Sequence, residues 1–236
     1  YPHGLPKPFS SDPTQWLFNG HPAGADQPLH VAVAQLLGYQ WPRQTGSSFP
    51  DCPALGPDGL EKLADEDGIV PINPMRGEPA AEERVIALLR GAFTGAKVAF
   101  DQSVVTKLIA ETGSKATSLT DWLLNDFFEQ HCKLFHQRPF VWHIWDGRKD
   151  GFNVLVNYHR LAAEGNGGRQ LLEKVTYAYL KDWIDRQEAG VREGMAGAEA
   201  RLAAAAILQK ELKQILDGEA PYDIFVRWKS LWGQPI

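Results

Sequence analysis

The chain has 236 residues, of which 44% are hydrophobic and 22% are charged, and its formal net charge is −5. These values are typical of a globular protein with a substantial core, and they exclude a chain that is basic throughout. There are two cysteines, which are too few for a disulfide framework, and no apolar run approaches the roughly 18 residues that cross a bilayer. We therefore expect a cytoplasmic protein that does not enter the membrane.

The first half of the chain is predicted to be helical after an extended, proline-rich arm at residues 1–26. Apolar residues then recur at helical spacing, and helix-start signals precede them, such as Pro28 and the pair Ser118 and Asp121. A loop is predicted between the first helix and a brief apolar segment that contains Pro71 and Pro74. The predicted helices cover residues 25–41, 60–64, 79–93, 101–112 and 118–136.

A β-hairpin is predicted near the middle of the chain, with strands at residues 138–145 and 152–158. In the second strand, apolar residues at every other position alternate with Asn153 and Asn157, which is the period of a strand with one apolar face. The connecting sequence "DGRKDG" contains two Asp-Gly pairs, and such pairs favour a hairpin connection.

The last third of the chain is predicted to be a long antiparallel helical pair. Apolar residues recur at steps of three and four from Gly168 onward and again from about residue 198, and three glycines lie between the two runs. A short helix is predicted at 222–232. We therefore expect an α+β fold, predominantly helical, with helices around the central hairpin (about 138–158) followed by the helical pair. The predicted domains are a mixed body at 1–165 and a helical part at 166–236.

The hairpin region is the main functional candidate, because basic residues alternate there with aromatic ones. Such a mixture suits phosphate contact combined with base stacking. A half-buried hairpin with an ordinary charged tip is the competing interpretation, since charged turns are common on any globular surface. The candidate DNA-binding residues are Lys133, Arg138, Trp142, Trp145, Arg148, Lys149 and Arg160.

Four of the seven histidines also fall in this region, namely His131, His136, His143 and His159. A metal-dependent hydrolase is therefore a third hypothesis, but the pattern disfavours it. His131 and His136 are five residues apart, which is not the spacing of a helical metal site, and no carboxylate completes a ligand set. Structural or surface histidines are the favoured interpretation, and we predict neither a catalytic nor a metal site.

Residues 121–161, "DWLLNDFFEQHCKLFHQRPFVWHIWDGRKDGFNVLVNYHRL", resemble a segment of large adenine-specific DNA methyltransferases. These are enzymes of the type IIG restriction–modification group and their relatives in BREX phage-exclusion systems. In that family, a helix ending "FF…H…LF" leads into an "RPF.W" strand, a glycine-containing turn and a strand ending "YH". Residues 10–42 and 168–187 also resemble the group, so the similarity touches most of the chain.

The resemblance implies that the parent protein is a site-specific enzyme that binds S-adenosylmethionine and methylates adenine in DNA. Its catalytic signature is an Asn-Pro-Pro-aromatic motif, but here Asn73 and Pro74 are followed by Met75 and Arg76. No glycine-rich cofactor turn precedes that segment. We therefore expect a fragment from the non-catalytic C-terminal half of such an enzyme, with no cofactor of its own. The absence of an initiator Met and the abrupt end at "LWGQPI" suggest the same.

Double-stranded DNA, bound together with the rest of the parent chain, is accordingly the expected partner. The resemblance implies a role in target recognition and duplex engagement. The alternative is a helical protein-interaction module without direct DNA contact, in which the helical pair is the docking surface.

Overall fold

The computed structural model describes residues 20–41, 45, 56–163, 166–218 and 220. Most of the predicted N-terminal arm and the predicted helix at 222–232 lie outside the described residues. The chain forms two compact units, and each combines two separate stretches of sequence. The first contains the residues up to Glu66 together with Glu82–Phe140, and the second contains Asp67–Ala81 together with the residues from Val141 onward.

The described residues form nine α-helices and three β-strands, together with shorter helical turns. In the first unit the helices are α1 (Pro28–Leu36), α2 (Ala81–Gly95), α3 (Gln102–Glu111), α4 (Leu119–Asn125) and α5 (Phe127–Leu134). In the second unit the strands are β1 (Ile69–Pro71), β2 (Val141–Trp145) and β3 (Asn153–Asn157). The helices of the second unit are α6 (Tyr158–Leu161), α7 (Gly167–Lys174), α8 (Leu180–Arg192) and α9 (Ala198–Asp217).

An aromatic cluster forms the core of the first unit. The ring of His30 in α1 stacks on Phe127 of α5, with the ring centroids 5.3 Å apart, and meets the edge of Trp122 at the same distance. His131 belongs to the same cluster and contacts the ring of Phe140 at 4.4 Å. All five side chains are buried, so α1, α4 and α5 share one core.

The start of α4 is similar to a capping box, as the sequence predicts, although Asp121 bonds the residue before the N-cap Ser118. The Ser118 hydroxyl accepts a hydrogen bond from the Asp121 amide at 3.0 Å, and the Asp121 carboxylate accepts one from the Thr117 amide at 3.3 Å. The prediction of one continuous helix at 118–136 is wrong, because the helix breaks at Asp126. The Asp126 side chain bonds to the Ser114 hydroxyl, and a short polar side chain with such a partner favours a break over helix continuation.

The second unit contains a three-stranded antiparallel sheet in the order β1-β3-β2. The predicted hairpin is confirmed as β2 and β3, with Ile144 opposite Val154. Strand β1 was not predicted. It pairs with β3 so that Ile69 lies opposite Val156, although the two residues are far apart in sequence. Three residues that include a proline are too few to display the two-residue period of a strand.

Both faces of β3 are buried, although the sequence predicts one apolar face. Val154 and Val156 lie in the core of the unit, as predicted, but Asn153 and Asn157 are also buried rather than facing solvent. The predicted strand includes Tyr158, but β3 ends at Asn157 and Tyr158 begins α6. The Asn157 side chain accepts a hydrogen bond from the Arg160 amide at 3.1 Å and so caps the short helix α6.

The helical pair is also confirmed. One helical segment runs from α7 through a π-helical turn at Val175–Tyr179 into α8, and its predicted apolar stripe is buried. Helix α8 ends in a Schellman motif, in which the Met195 amide bonds to the Gly190 carbonyl at 2.8 Å and Gly194 has φ +71°. A tight turn follows and α9 returns along α8, so the two helices form the antiparallel pair.

The fold is therefore α+β and predominantly helical, as the sequence predicts. The core of the second unit combines one face of the sheet with α7, α8 and α9. The domain boundary predicted near residue 165 lies inside this second unit, between its sheet and its long helices. Among the described residues, no helix has the length and apolar character that a bilayer span requires.

Candidate nucleic-acid interface

The loop between β2 and β3 is held in one conformation by its own side chains. The Asp146 carboxylate accepts hydrogen bonds from the amides of Arg148 and Phe152, both at 3.0 Å. Burial raises the pKa of Asp146, and these two amides oppose that shift by stabilising the charged form. A Cβ atom on Gly151 would lie 2.1 Å from the Asp146 carboxylate, so the loop requires glycine at that position.

Asn153 stabilises the base of the loop through side-chain hydrogen bonds. Its side-chain amide donates to the carbonyls of Arg148 and Gly151, at 3.0 and 3.1 Å. Its oxygen lies 2.9 Å from Nε2 of His143, across the hairpin. Burial lowers the pKa of His143, although the bond to Asn153 opposes the shift. The loop is thus a pre-formed platform for the side chains at its tip.

The position of Arg148 at a hairpin tip predicts a side chain that projects freely into solvent. In the structure it is paired instead. Its guanidinium forms a two-point pair with Asp150, with Nε to Oδ1 at 2.9 Å and Nη2 to Oδ2 at 3.1 Å. The pair raises the pKa of Arg148 and lowers that of Asp150. Arg201 of α9 also approaches Asp150, with Nη1 3.5 Å from Oδ2.

Lys149 is the exposed cation of the loop. Its side chain lies at the tip between Arg148 and Asp150, and it forms no ion pair within the described part of the chain. Arg160 is only half-buried and belongs to α6, at the far end of β3 from the loop. The predicted basic residues of the second unit therefore lie at both ends of the hairpin.

Both tryptophans of β2 are substantially exposed. Trp142 is 41% exposed, and its ring stacks on Tyr158 with centroids 5.3 Å apart and planes inclined by 14°. Trp145 is 44% exposed and stacks on His143 at 5.7 Å. The two residues are three positions apart in a strand, so their side chains leave opposite faces of the sheet. They cannot form one stacking surface, and Trp145 is the one next to the basic loop.

Lys133 and Arg138 belong to the first unit, whereas the hairpin belongs to the second. Lys133 is at the end of α5, where it forms an exposed ion pair with Glu129 at 2.5 Å. Arg138 is exposed in the segment between α5 and Phe140. Trp145, Arg148 and Lys149 thus lie at the loop end of the hairpin, whereas Trp142 leaves the other face of the sheet and Arg160 lies in α6. Lys133 and Arg138 belong to the other unit.

The four clustered histidines are distributed between the two units. His131 is buried in the aromatic core, and His136 is exposed in a tight turn with φ +50°. His143 lies opposite Leu155 in the hairpin, while His159 is in α6. Among the residues that the structure describes, no group of three or more His, Cys, Asp and Glu side chains is placed to hold a metal ion.

The segment that follows Asn73 forms a tight turn. Met75 and Glu78 exchange two backbone hydrogen bonds, and Arg76 and Gly77 between them have φ +53° and +77°. The Arg76 guanidinium lies 4.9 Å from the ring centre of Tyr179, whose hydroxyl donates to Glu78 at 2.6 Å. These contacts give the segment a structural role.

Two participants in the loop were missed from the sequence. Asp150 was interpreted only as half of a turn signal, although an acid two residues from an arginine can pair with it. Arg201 carries no local signal, because its approach to Asp150 depends on how α9 packs in the second unit.

No protein-family model matches the chain. A search of curated proteins likewise finds no match.

Proposed function

We propose that the chain is a DNA-engaging accessory region of an adenine-specific DNA methyltransferase of restriction–modification or phage defence. In this role it contributes duplex contact and target recognition but no catalysis, and it works in the cytoplasm. The observation that carries the proposal is the pre-formed loop at 146–152, which carries Arg148 and the exposed Lys149 and directly follows the exposed Trp145.

The loop suits contact with the DNA backbone. The backbone that carries Arg148 and Lys149 is ordered before binding, so little backbone conformational entropy is lost when the tip contacts phosphate. The net charge of −5 means that affinity depends on this local arrangement rather than on the whole chain. We therefore expect modest affinity for the chain alone and stronger binding together with the rest of the parent protein.

The parent enzyme would supply S-adenosylmethionine binding and methyl transfer. This part of the proposal rests on the resemblance of residues 121–161 to the methyltransferase family.

Salt-dependent binding of a fluorescein-labelled DNA duplex, measured by anisotropy, tests the proposal. The double variant Arg148→Ala/Lys149→Ala should bind more weakly than the unchanged chain. The slope of the logarithm of its association constant against the logarithm of the salt concentration should be shallower by about one to two, because one or two phosphate contacts are lost.

Lys210→Ala is the matched control, since Lys210 is an exposed lysine of α9 in the same unit and outside the hairpin. It should leave the affinity and the salt slope unchanged. If the double variant binds with the affinity and slope of the unchanged chain, the hairpin is not part of a DNA interface.

A protein-interaction module is the alternative function. Its supporting observation is that large apolar side chains of the helical segments are exposed, with Ile207 of α9 63% and Tyr177 55% accessible. An Ile207→Asp variant distinguishes the two proposals. It should abolish binding of a protein partner if α9 is a docking surface, and it should leave DNA binding unchanged if the hairpin is the interface.

A further inference from the structure

Asp150 occupies the Nε–Nη2 edge of Arg148, which is one of the two edges through which a guanidinium binds phosphate at two points. Two-point recognition of phosphate requires two N–H groups on one edge of the guanidinium. In this loop the Nε and Nη2 groups of Arg148 both donate to the Asp150 carboxylate, at 2.9 and 3.1 Å. A phosphate can make the same contact only after the carboxylate has been displaced.

The position of Asp150 is reinforced from outside the loop. Arg201 places Nη1 3.5 Å from the Asp150 carboxylate. Its other nitrogens are engaged, because Nε donates to Gln187 at 2.7 Å and Nη2 donates to the carbonyl of Ala196 at 3.3 Å. Arg201 is therefore fixed at the junction of α8 and α9, and it attracts Asp150 towards that junction.

The positive and negative charges of the side chains at the loop tip nearly cancel. Asp146 and Asp150 lie in the same short loop as Arg148 and Lys149, and Arg201 is the one additional cation among these groups. A negative carboxylate within hydrogen-bond distance of Arg148 repels an approaching phosphate and also competes for the same donors. The sequence alone suggests two available cations here, whereas the structure leaves Lys149 as the available one.

We propose that Asp150 limits the affinity of the hairpin for DNA by competing with backbone phosphate for Arg148. This inference rests on the proposed function, since it concerns regulation of the same surface. Removing the charge of Asp150 releases Arg148 for phosphate contact. Affinity then rises about two- to fivefold, which is the factor that an exposed ion pair typically contributes to an equilibrium.

The experiment compares the binding of a fluorescein-labelled DNA duplex by four forms of the chain across a range of salt concentrations. These are the unchanged chain, Asp150→Asn, Arg148→Gln and the double variant Arg148→Gln/Asp150→Asn. Asp150→Asn should bind about two- to fivefold more tightly, with a salt slope steeper by about one because one more phosphate is contacted. In the Arg148→Gln background the same substitution should produce no gain.

Two further variants control for charge and folding. Asp185→Asn makes the same change of charge on α8, where Asp185 pairs with Lys181, and it should not increase affinity. Asp150→Ser removes the same carboxylate with a different side chain and should reproduce the gain. Thermal unfolding of each variant verifies that it is folded before its binding is compared.

The outcomes separate this inference from the proposed function. If Lys149→Ala weakens binding but Asp150→Asn does not strengthen it, the competition is disproved and the hairpin remains an interface. A gain that persists without Arg148 also overturns the inference, because Asp150 then acts by general repulsion. If neither Lys149→Ala nor Asp150→Asn changes binding, both the inference and the proposed function fail.

Discussion

His30 and His131 lie ring against ring in the core of the first unit, with centroids 5.9 Å apart. Burial lowers the pKa of His30 to about 4, against a weaker opposing contact with Gln130. Burial and the neighbouring His30 hold the pKa of His131 well below its usual range. The Phe140 amide donates to Nε2 of His131 at 3.2 Å, which requires that nitrogen to be unprotonated. Both rings are therefore neutral in the folded protein at neutral pH.

The stability of the first unit should fall as the pH is lowered from about 6.5 towards 4. In that range the unfolded chain binds protons that the folded histidines exclude, so the free energy of unfolding decreases and is greatest above pH 6.5. For His30 alone, the shift from 6.5 to about 4 corresponds to roughly 3 kcal/mol. Amide hydrogen exchange in α1 and α5, corrected for intrinsic rates, measures this loss.

In a His30→Phe variant the free energy of unfolding of the first unit should depend less on pH, because one of the two buried titrating groups is removed. His136→Asn, which removes an exposed histidine from the same unit, serves as the control. Equal pH dependence in the unchanged chain and His30→Phe would contradict this account.

At the scale of elements, the hairpin loop depends on glycine where the Asp146 carboxylate turns inward. Gly151→Ala places a Cβ atom within 2.1 Å of that carboxylate and should displace it from the amides of Arg148 and Phe152. We expect a loss of about 1–3 kcal/mol in the stability of the second unit, the usual cost of leaving such groups unsatisfied. Urea unfolding measures it.

Lys149→Ala, a neighbouring substitution at an exposed position, should change stability by less than about 0.5 kcal/mol. Equal stability of Gly151→Ala and the unchanged chain would mean that Asp146 does not organise the loop.

The elements that the sequence predicts correctly are those with strong local signals. The two Asp-Gly pairs predict the hairpin, Ser118 with Asp121 predicts the start of α4, and long apolar periodicity predicts the helical pair. The elements missed depend on distant partners. β1 exists because Ile69 pairs with Val156, and Asn153 is buried where its side chain bonds to His143 and to the loop carbonyls.

At the scale of the whole molecule, the chain passes between two units that are each discontinuous in sequence. The sequence of residues 133–161 suggests one functional segment. In the structure this segment crosses the boundary between the two units, which lies between Phe140 and Val141. The seven candidate residues, although close in sequence, therefore belong to two different units. Local pattern cannot reveal such a division, because it is set by contacts between residues far apart in the chain.

Mapping the contact by ultraviolet cross-linking of the chain to duplex DNA, followed by mass spectrometry of the linked peptides, tests the central claim most directly. We predict cross-links within residues 142–149, with Trp145 and Lys149 at the contact, and their loss as salt is raised. Cross-links confined to the first unit or to α9, or none at all at low salt, would contradict the claim that the hairpin loop engages DNA.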